Sequence, residues 1–315
     1  MSRYLGRRLL QFIPTAFGIL TVLFILTYLM PSDPLRAVLG EQYRRLPPEV
    51  VEGIREELGL NQPFLSQYLG YVGRLLRFDL GRSYILEQKV IDIIGYRLPH
   101  TFQLMLGGLL VGGVIGIGSG IAASLRPGRW LDHLLTGLAL VGASIPVFWL
   151  ALVLQLVLTQ DKYGAALFPV AGYESGSIRH LALPSLVLGL NLASGLSRVS
   201  RAAMIEARSR DYNLTARMKG LRSRAIIQRH QLRNALIPIL TVLSLDMGYL
   251  LGGSVVTETI FNWPGLGRAL IPAIDRRDTP VIMGILIFGA VLFMLINLVV
   301  DVLYGIIDPR IRLEK

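Results

Sequence analysis

Apolar runs of membrane length alternate with short polar breaks along the 315 residues of the chain. The first, residues 9–30, follows Arg3, Arg7 and Arg8 and is about 22 residues long, enough to cross a hydrocarbon core about 30 Å thick. It ends in Tyr28, Met30 and Pro31 with no small-residue cleavage site, so it reads as a signal anchor that stays. The pattern predicts further spans over residues 101–124, 134–158, 181–197, 236–256 and 281–307. The second carries no charge and places Gly108, Gly112, Gly116 and Gly120 four residues apart, a face on which another helix can approach closely. The third contains Ser144-Ile145-Pro146, where proline frees a carbonyl and kinks the helix. Pro146 is thus a candidate for the translocation path, or a plain packing feature.

Residues 31–99 form a long mixed segment, balanced in charge. Pro48 opens a helix with Glu49 and Glu52 in its first turn, and Gly59 ends it. Beyond Asn61-Gln62-Pro63, the residues Phe64, Leu65, Tyr68, Leu69, Val72, Leu75 and Leu76 recur at helical spacing. That face either lies on a membrane surface or packs on the spans, and packing is the expected outcome. Short loops sort by charge: Arg3, Arg7 and Arg8, then Arg126 and Arg129, then Arg201 to Arg233, then Arg310, Arg312 and Lys315 all fall on one side. The expectation is an all-α polytopic membrane protein with six transmembrane helices, both termini cytoplasmic and residues 31–99 external. With no internal repeat, the whole of 1–315 is taken as a single domain.

Composition sharpens this picture: 52% hydrophobic, 17% charged and a mean hydropathy of +0.53 exclude an ordinary soluble domain. The net charge of +11 and pI of 10.2 do not imply nucleic acid, because the basic residues cluster in loops between apolar runs. The absence of Cys excludes disulfides, thiol nucleophiles and thiolate metal sites. His100, His133, His180 and His230 lack metal-ligand spacing, and no Walker-type GxxxxGK[ST] occurs. No nucleophile-base pair or carboxylate pair stands out, so the chain is not expected to be an enzyme, to bind ATP itself or to hold a metal.

One polar interruption stands apart, residues 201–235 running into Pro238, with nine Lys/Arg against Glu206 and Asp211. The stretch divides into two helices. Asp211 is placed to cap the first, Leu214, Met218 and Leu221 lie along one face, and Gly220 suits the reversal at its end. Ser223 is placed to cap the second, with Ile226, Ile227, Leu232 and Leu236 available for burial. A basic loop alone would serve to touch anionic lipid. A capped short helix with an apolar stripe fits a protein groove instead.

DYNLTARMKGL followed by RHQLRNALIP resembles the cytoplasmic coupling loop of ABC-transporter permeases, specifically the first permease subunit of the bacterial dipeptide/oligopeptide (and nickel) uptake family. Further matches follow in order along almost the whole chain: PSDPLRAVLG, LGLNQPFLSQY, DLGRSY, RLPHTFQL, SIPVFWLAL, ETIFNWPGLG and NLVVDVLYGIIDPRIR. Departures are Asn213 and Leu214 where the family more often has Val/Ile and Arg, Met218 and Gln231 where it has Ala, and Ser32 where it has Gly. The resemblance implies that Asp211, Tyr212, Thr215, Ala216, Arg217, Lys219, Gly220 and Leu221 form a coupling helix docking in a cleft of a separate ATPase, with Ala216 and Gly220 as a small-residue face. It also implies a bacterial inner-membrane importer. Its partners would be a second homologous permease, two ABC ATPase subunits that carry the ATP and Mg, and an extracytoplasmic substrate-binding protein.

Asp246, midway along the fifth run, is costly in a membrane and so a functional candidate. It faces the path and attracts a substrate ammonium, or it bonds a polar residue such as Ser144 or Asn191. Asn297, Asp301, Tyr304 and Asp308 fall on one face of the sixth span, with a structural role tying it to the basic stretch expected. Glu258 sits where the family has its extracellular gate, a candidate contact for substrate or binding protein. The expected cargo is a short peptide, with nickel, glutathione or another small solute as alternatives within the family. The alternative of a different class is a membrane scaffold or enzyme with a lipid-binding basic loop.

Overall fold

The computed structural model describes residues 2–29, 35, 39, 43, 45–57, 59–159 and 167–307; the side chains of 2–9, 57, 249, 251–253, 301 and 303–307 fall outside that description. Among the described residues the regular structure is helical, with a single isolated bridge between Arg82 and Lys89. The elements are α1 (Ser2–Leu29), α2 (Pro48–Glu57), α3 (Phe64–Leu75), α4 (Val90–Leu125), α5 (Trp130–Ser144), α6 (Val147–Thr159), α7 (Ile178–Ser209), α8 (Tyr212–Met218) and α9 (Ser223–Ile226). A π-helical turn (Ile227–Gln231) then leads into α10 (Leu232–Ile260), followed by α11 (Leu266–Asp275) and α12 (Thr279–Ile307).

Four of these, α1, α4, α7 and α12, are long and apolar enough to cross a membrane, and the bent pair of α5 and α6 makes a fifth if taken as one span. Several boundaries differ from the sequence expectation, and three differences shape the fold most. Helix α4 begins at Val90 rather than at residue 101, because Pro99 removes one backbone donor without ending the helix. Helix α7 runs to Ser209, so residues 201–209, expected in a loop, continue a helix about 48 Å long at 1.5 Å per residue. The expected kink at Pro146 is a break: α5 and α6 meet at 106°, with Ile145 extended and the Pro146 carbonyl accepting the first bond of α6 from the Leu150 amide at 3.0 Å.

The chain falls into two compact units, Met1–Pro99 with Arg268–Leu292 and His100–Gly267 with Phe293–Lys315. In the first, part of the expected apolar face of α3 packs, while Leu65, Leu69 and Leu76 of that face stay exposed. Tyr68 joins Leu20, Met283 and Ile287 in a core, flanked by Phe64, Tyr71, Val72 and Leu75. Phe24 of α1 sits 5.5 Å from the Phe64 ring, 5.3 Å from Tyr68 and 5.7 Å from Tyr71, and the Thr21 and Tyr68 hydroxyls share a 2.6 Å hydrogen bond. In the same unit Asp278, just before α12, takes the Ser83 hydroxyl and the Tyr84 amide, which fixes the turn after Leu80.

The second unit is built on the glycine face of α4. A Cβ at Gly112 would stand 2.6 Å from Leu192 Cδ2, one at Gly116 2.9 Å from the Ala193 backbone, and one at Gly120 2.5 Å from the Ser197 carbonyl. The four-residue glycine spacing therefore marks the contact of α4 with α7. Leu104, Met105, Leu188, Leu192, Leu250 and Trp263 form one core, and Leu196, Met204, Ala235 and Ile239 belong to another where α7 meets α10.

Candidate functional site

The polar end of the second unit is organised by α7. Its final turns carry Arg201 and Arg208, and both reach the connection between α4 and α5. Arg201 donates from Nε and Nη2 to the two carboxylate oxygens of Asp132 at 2.5 and 2.7 Å. Asp132 is buried and also accepts the Gly128 amide at 2.9 Å, so it closes the turn before α5. Arg208 Nη1 donates to the Ser124 and Leu125 carbonyls at 2.7 and 2.9 Å. These are the last carbonyls of α4, where a cation satisfies orphan acceptors and meets the negative end of the helix dipole.

Arg210 is extended and turns the chain into α8. Asp211 occupies the N-cap position, but with helical φ and ψ and no side-chain hydrogen bond, so the expected carboxylate cap is not formed. The carboxamide of Asn213 serves the other helix end, its Nδ2 donating back to the Ala207 carbonyl in the last turn of α7 and to the Arg210 carbonyl just beyond it. The far end of α8 closes as a Schellman motif: the Leu221 amide donates to the Ala216 carbonyl at 3.2 Å and the Gly220 amide to Arg217 at 2.9 Å. Gly220 stands at φ +71°, a left-handed conformation that costs other residues about 1–2 kcal/mol. Ser223 is the first residue of α9, with Arg222 at the N-cap position and no side-chain cap. The expected Ser223 cap is likewise absent.

What α8 shows to solvent is clear from burial. Leu214 is 62% exposed and Met218 80%, and with Leu221, Arg217, Lys219, Thr215 and Gly220 they make one open apolar and basic surface. Ala216 is buried within the chain, while a Cβ at Gly220 would meet nothing. The two do not share an exposed small-residue face, because α8 turns its Asn213 and Ala216 side inward to seat on its own unit. Tyr212 is half-buried and donates to the Ala207 carbonyl at 2.9 Å. Beside this surface opens a cleft of about 1230 Å³ lined by Glu206, Arg210, Tyr212, Arg229 and Arg233 among others.

The remaining sequence candidates lie elsewhere. Asp246, on α10, is half-buried and bonds neither Ser144 nor Asn191; Ser144 gives its hydroxyl to its own helix at Leu140, 2.9 Å away. Glu258 is 0% exposed. Its carboxylate accepts the Thr101 hydroxyl at 2.9 Å, Thr101 accepts the Leu266 amide at 2.8 Å, and a Cβ at either Gly265 or Gly267 would run into the same carboxylate. With Trp263 buried beside it and donating to the His100 carbonyl at 2.9 Å, Glu258 is the centre of a folded knot. In this structure its side chain is closed off from solvent. Asn297 donates to Phe293 of its own helix and is not tied to the basic stretch. The Asp301 and Tyr304 side chains and the whole of Asp308 lie outside the described residues. Pro146 stands at the break between α5 and α6, beside a cavity of about 360 Å³ lined by Ser119, Gly142, Ile145, Leu150, Ser194 and Ser197 among others.

Sequence reasoning did not find Asp132, the pairing of Arg208 with a helix end, or the contact between Asn213 and Gln231. For Asp132 a signal existed: an acid two residues into a helix that follows an Arg-Pro-Gly-Arg turn is placed to bond that turn.

Comparison with known proteins bears on this arrangement. The family described as binding-protein-dependent transport system inner membrane component matches residues 112–313, and its N-terminal companion matches residues 1–105. The di/tripeptide transport system permease protein DppB of Pseudomonas aeruginosa (strain UCBPP-PA14) is 39% identical over 338 residues, covering 100% of both chains. The glutathione transport system permease protein GsiC of Escherichia coli (strain K12) is 38% identical over 312 residues, covering 99% of each. Among solved structures, inward-facing conformations of the MetNI methionine ABC transporter align with a TM-score of 0.57 and 18% identity, over 69% of this chain and 96% of that one.

Proposed function

The chain belongs to the binding-protein-dependent transport system inner membrane components and is a permease subunit of an ABC importer, and from that premise we propose that α8 is where a separate ATPase subunit grips it. The observation that carries this reading is the open surface of Leu214, Met218 and Leu221 with Arg217 and Lys219, on a helix fixed at both ends. Apolar side chains that exposed on a short polar-flanked helix fit a protein groove, and the cations steer an acidic partner surface. Asp211, Thr215 and Gly220 border that surface. Tyr212 and Ala216 act from beneath by seating the helix. Membership of the family removes the alternative of a scaffold or membrane enzyme.

The assembly in this reading contains a second, homologous permease, two ABC ATPases that bind ATP and Mg, and an external binding protein. ATP-driven closure of the ATPase pair pushes α8, and α7 carries the displacement to α4 and α5. The path then alternates between inward and outward access. Six spans are completed by α10, whose 29 residues reach about 44 Å. The Arg201, Arg208 and Arg217 side faces the cytoplasm by the positive-inside bias, and both termini share it.

The cargo in this reading is a short peptide, since the curated relatives are named for di- and tripeptides and for glutathione. In this reading Asp246, half-buried on α10, meets a substrate ammonium. The test of the reading is Met218→Glu in the assembled importer. Loss of substrate-stimulated ATP hydrolysis with the chain still inserted supports docking through α8; normal stimulation refutes it.

A further inference from the structure

We infer that Asn213 is a positioning residue whose side-chain amide locks α8 to the end of α7, so that the two helices move as one body. The inference rests on the reading of α8 as the ATPase contact and says how a push there is passed on.

Asn213 lies in the first turn of α8 and is only 5% exposed. Its Nδ2 donates to the Ala207 carbonyl at 2.7 Å and to Arg210 at 3.0 Å, with Arg208 a further acceptor at 3.3 Å. The Ala207 and Arg208 carbonyls belong to the last turn of α7, where carbonyls lack intrahelical partners, and the carbonyl of Arg210, the next residue but one after Arg208, also accepts the Asn213 backbone amide at 3.1 Å. With both amide hydrogens committed backward, Oδ1 is left to accept, and it accepts Gln231 Nε2 at 3.0 Å. Gln231 is 4% exposed and sits in the π-helical turn, where the Leu232 amide bonds back to Ile227. One carboxamide therefore ties three elements, the end of α7, the start of α8 and the turn into α10. The Tyr212 hydroxyl on the Ala207 carbonyl reinforces the same joint.

Rigidity is what this joint supplies. Between Ser209 and Tyr212 the chain has an extended residue and would otherwise hinge there. A hinge would let α8 swing with the ATPase and leave α7 in place. The tie is neutral and buried, so salt does not screen it as it would an arginine pair.

The test uses the complete importer in lipid, with Asn213→Val, Gln231→Ala and the double variant. Asn213→Val strands the Gln231 amide and uncaps the α7 carbonyls. Transport per ATP hydrolysed should fall roughly five- to a hundredfold, while basal hydrolysis and complex yield stay unchanged. The double variant removes both amides and should recover part of the loss, a non-additivity that independent roles would not show. Unchanged transport per ATP in Asn213→Val overturns the lock, and so does a fall in transport that merely tracks complex yield.

A distance measurement covers the case of poor folding. The chain has no Cys, so spin labels on Cys introduced at the exposed Ser209 and Thr215 report one distance across the joint. The lock requires that distance to be narrow and the same with and without ATP; a change between the two states overturns it. Met218→Glu serves as the control for the docking reading. If it uncouples and Asn213→Val does not, only the lock falls; if it couples normally, the docking reading and the lock fall together.

Discussion

Removing Arg201 should damage the permease far more than removing its partner Asp132, because the two ends of the pair are buried to different degrees. Asp132 is 2% exposed and the Arg201 side chain 32%. Arg201→Ala leaves a buried carboxylate with only the Gly128 amide at 2.9 Å and a long contact to the Thr136 hydroxyl at 3.4 Å. Stranding a buried charge costs about 3–5 kcal/mol. Asp132→Ala instead frees a guanidinium that can turn to water, and the main loss is the bond to Gly128, about 1–3 kcal/mol. With Asp132 gone, deleting Arg201 adds little, so the double variant should resemble Asp132→Ala. The assay is the thermal midpoint of the purified importer in lipid discs for the two single variants and the double, together with protease cleavage in the turn at residues 126–129. Cleavage should rise most in Arg201→Ala. Equal costs for the two single variants, with a double variant equal to their sum, would refute the argument, since additivity means the residues do not act on each other.

Glu258→Gln keeps an oxygen for the Thr101 hydroxyl and should transport with unaltered apparent affinity, whereas Glu258→Ala opens a polar hole under Gly265 and should lower the yield of folded protein. A changed affinity for cargo or binding protein in the Gln variant would return Glu258 to the gate. Asp246→Asn should weaken transport of peptides with a free amino terminus several-fold and leave amino-blocked peptides unaffected, read by uptake into proteoliposomes; equal effects on both refute an ammonium contact. Gly116→Ile forces a side chain into the Ala193 backbone and should cost at least the 1–3 kcal/mol of ordinary overpacking, while Gly113→Ala, with open space around its Cβ, should be neutral or slightly stabilising. Expression and thermal midpoint of the two variants decide it.

The apolar runs and the glycine spacing were legible because each is local: residues four apart on one helix declare their shared face without knowledge of a partner. Gly108 to Gly120 showed where α4 is thin, and the structure shows α7 filling that space. The break at Pro146 was legible as a perturbation but not in degree, since a proline removes one donor whether the chain then bends slightly or turns by 106°. What decides the angle is that Ile145 is extended, a tertiary choice. Caps were the least legible. Asp211 and Ser223 have the right chemistry near the right places, yet neither caps, because the amides at the two helix starts donate to backbone carbonyls instead, Asn213 to Arg210 and Leu214 to Asp211 in α8, and Ala225 and Ile226 to Arg222 in α9.

The polar stretch teaches the same lesson in a sharper form. Its positive charge is conspicuous in sequence, and three of its arginines turn out to have quite different tasks. Arg201 closes a buried ion pair, Arg208 caps a helix end, and Arg210 makes an exposed pair with Glu206 at 2.5 Å that is worth little. Charge alone could not rank them, because the ranking depends on which acceptor each meets across 69, 84 or 4 residues of chain. Asn213 and Gln231 stand 18 residues apart and look in sequence like two unrelated polar positions in an amphipathic stretch. In the fold, the neutral amides hold the joint while the cations face the partner or the helix ends. If force is to pass from α8 into α7, it has to cross that joint. The groups that transmit it are therefore the buried, uncharged ones, which composition and charge counting pass over.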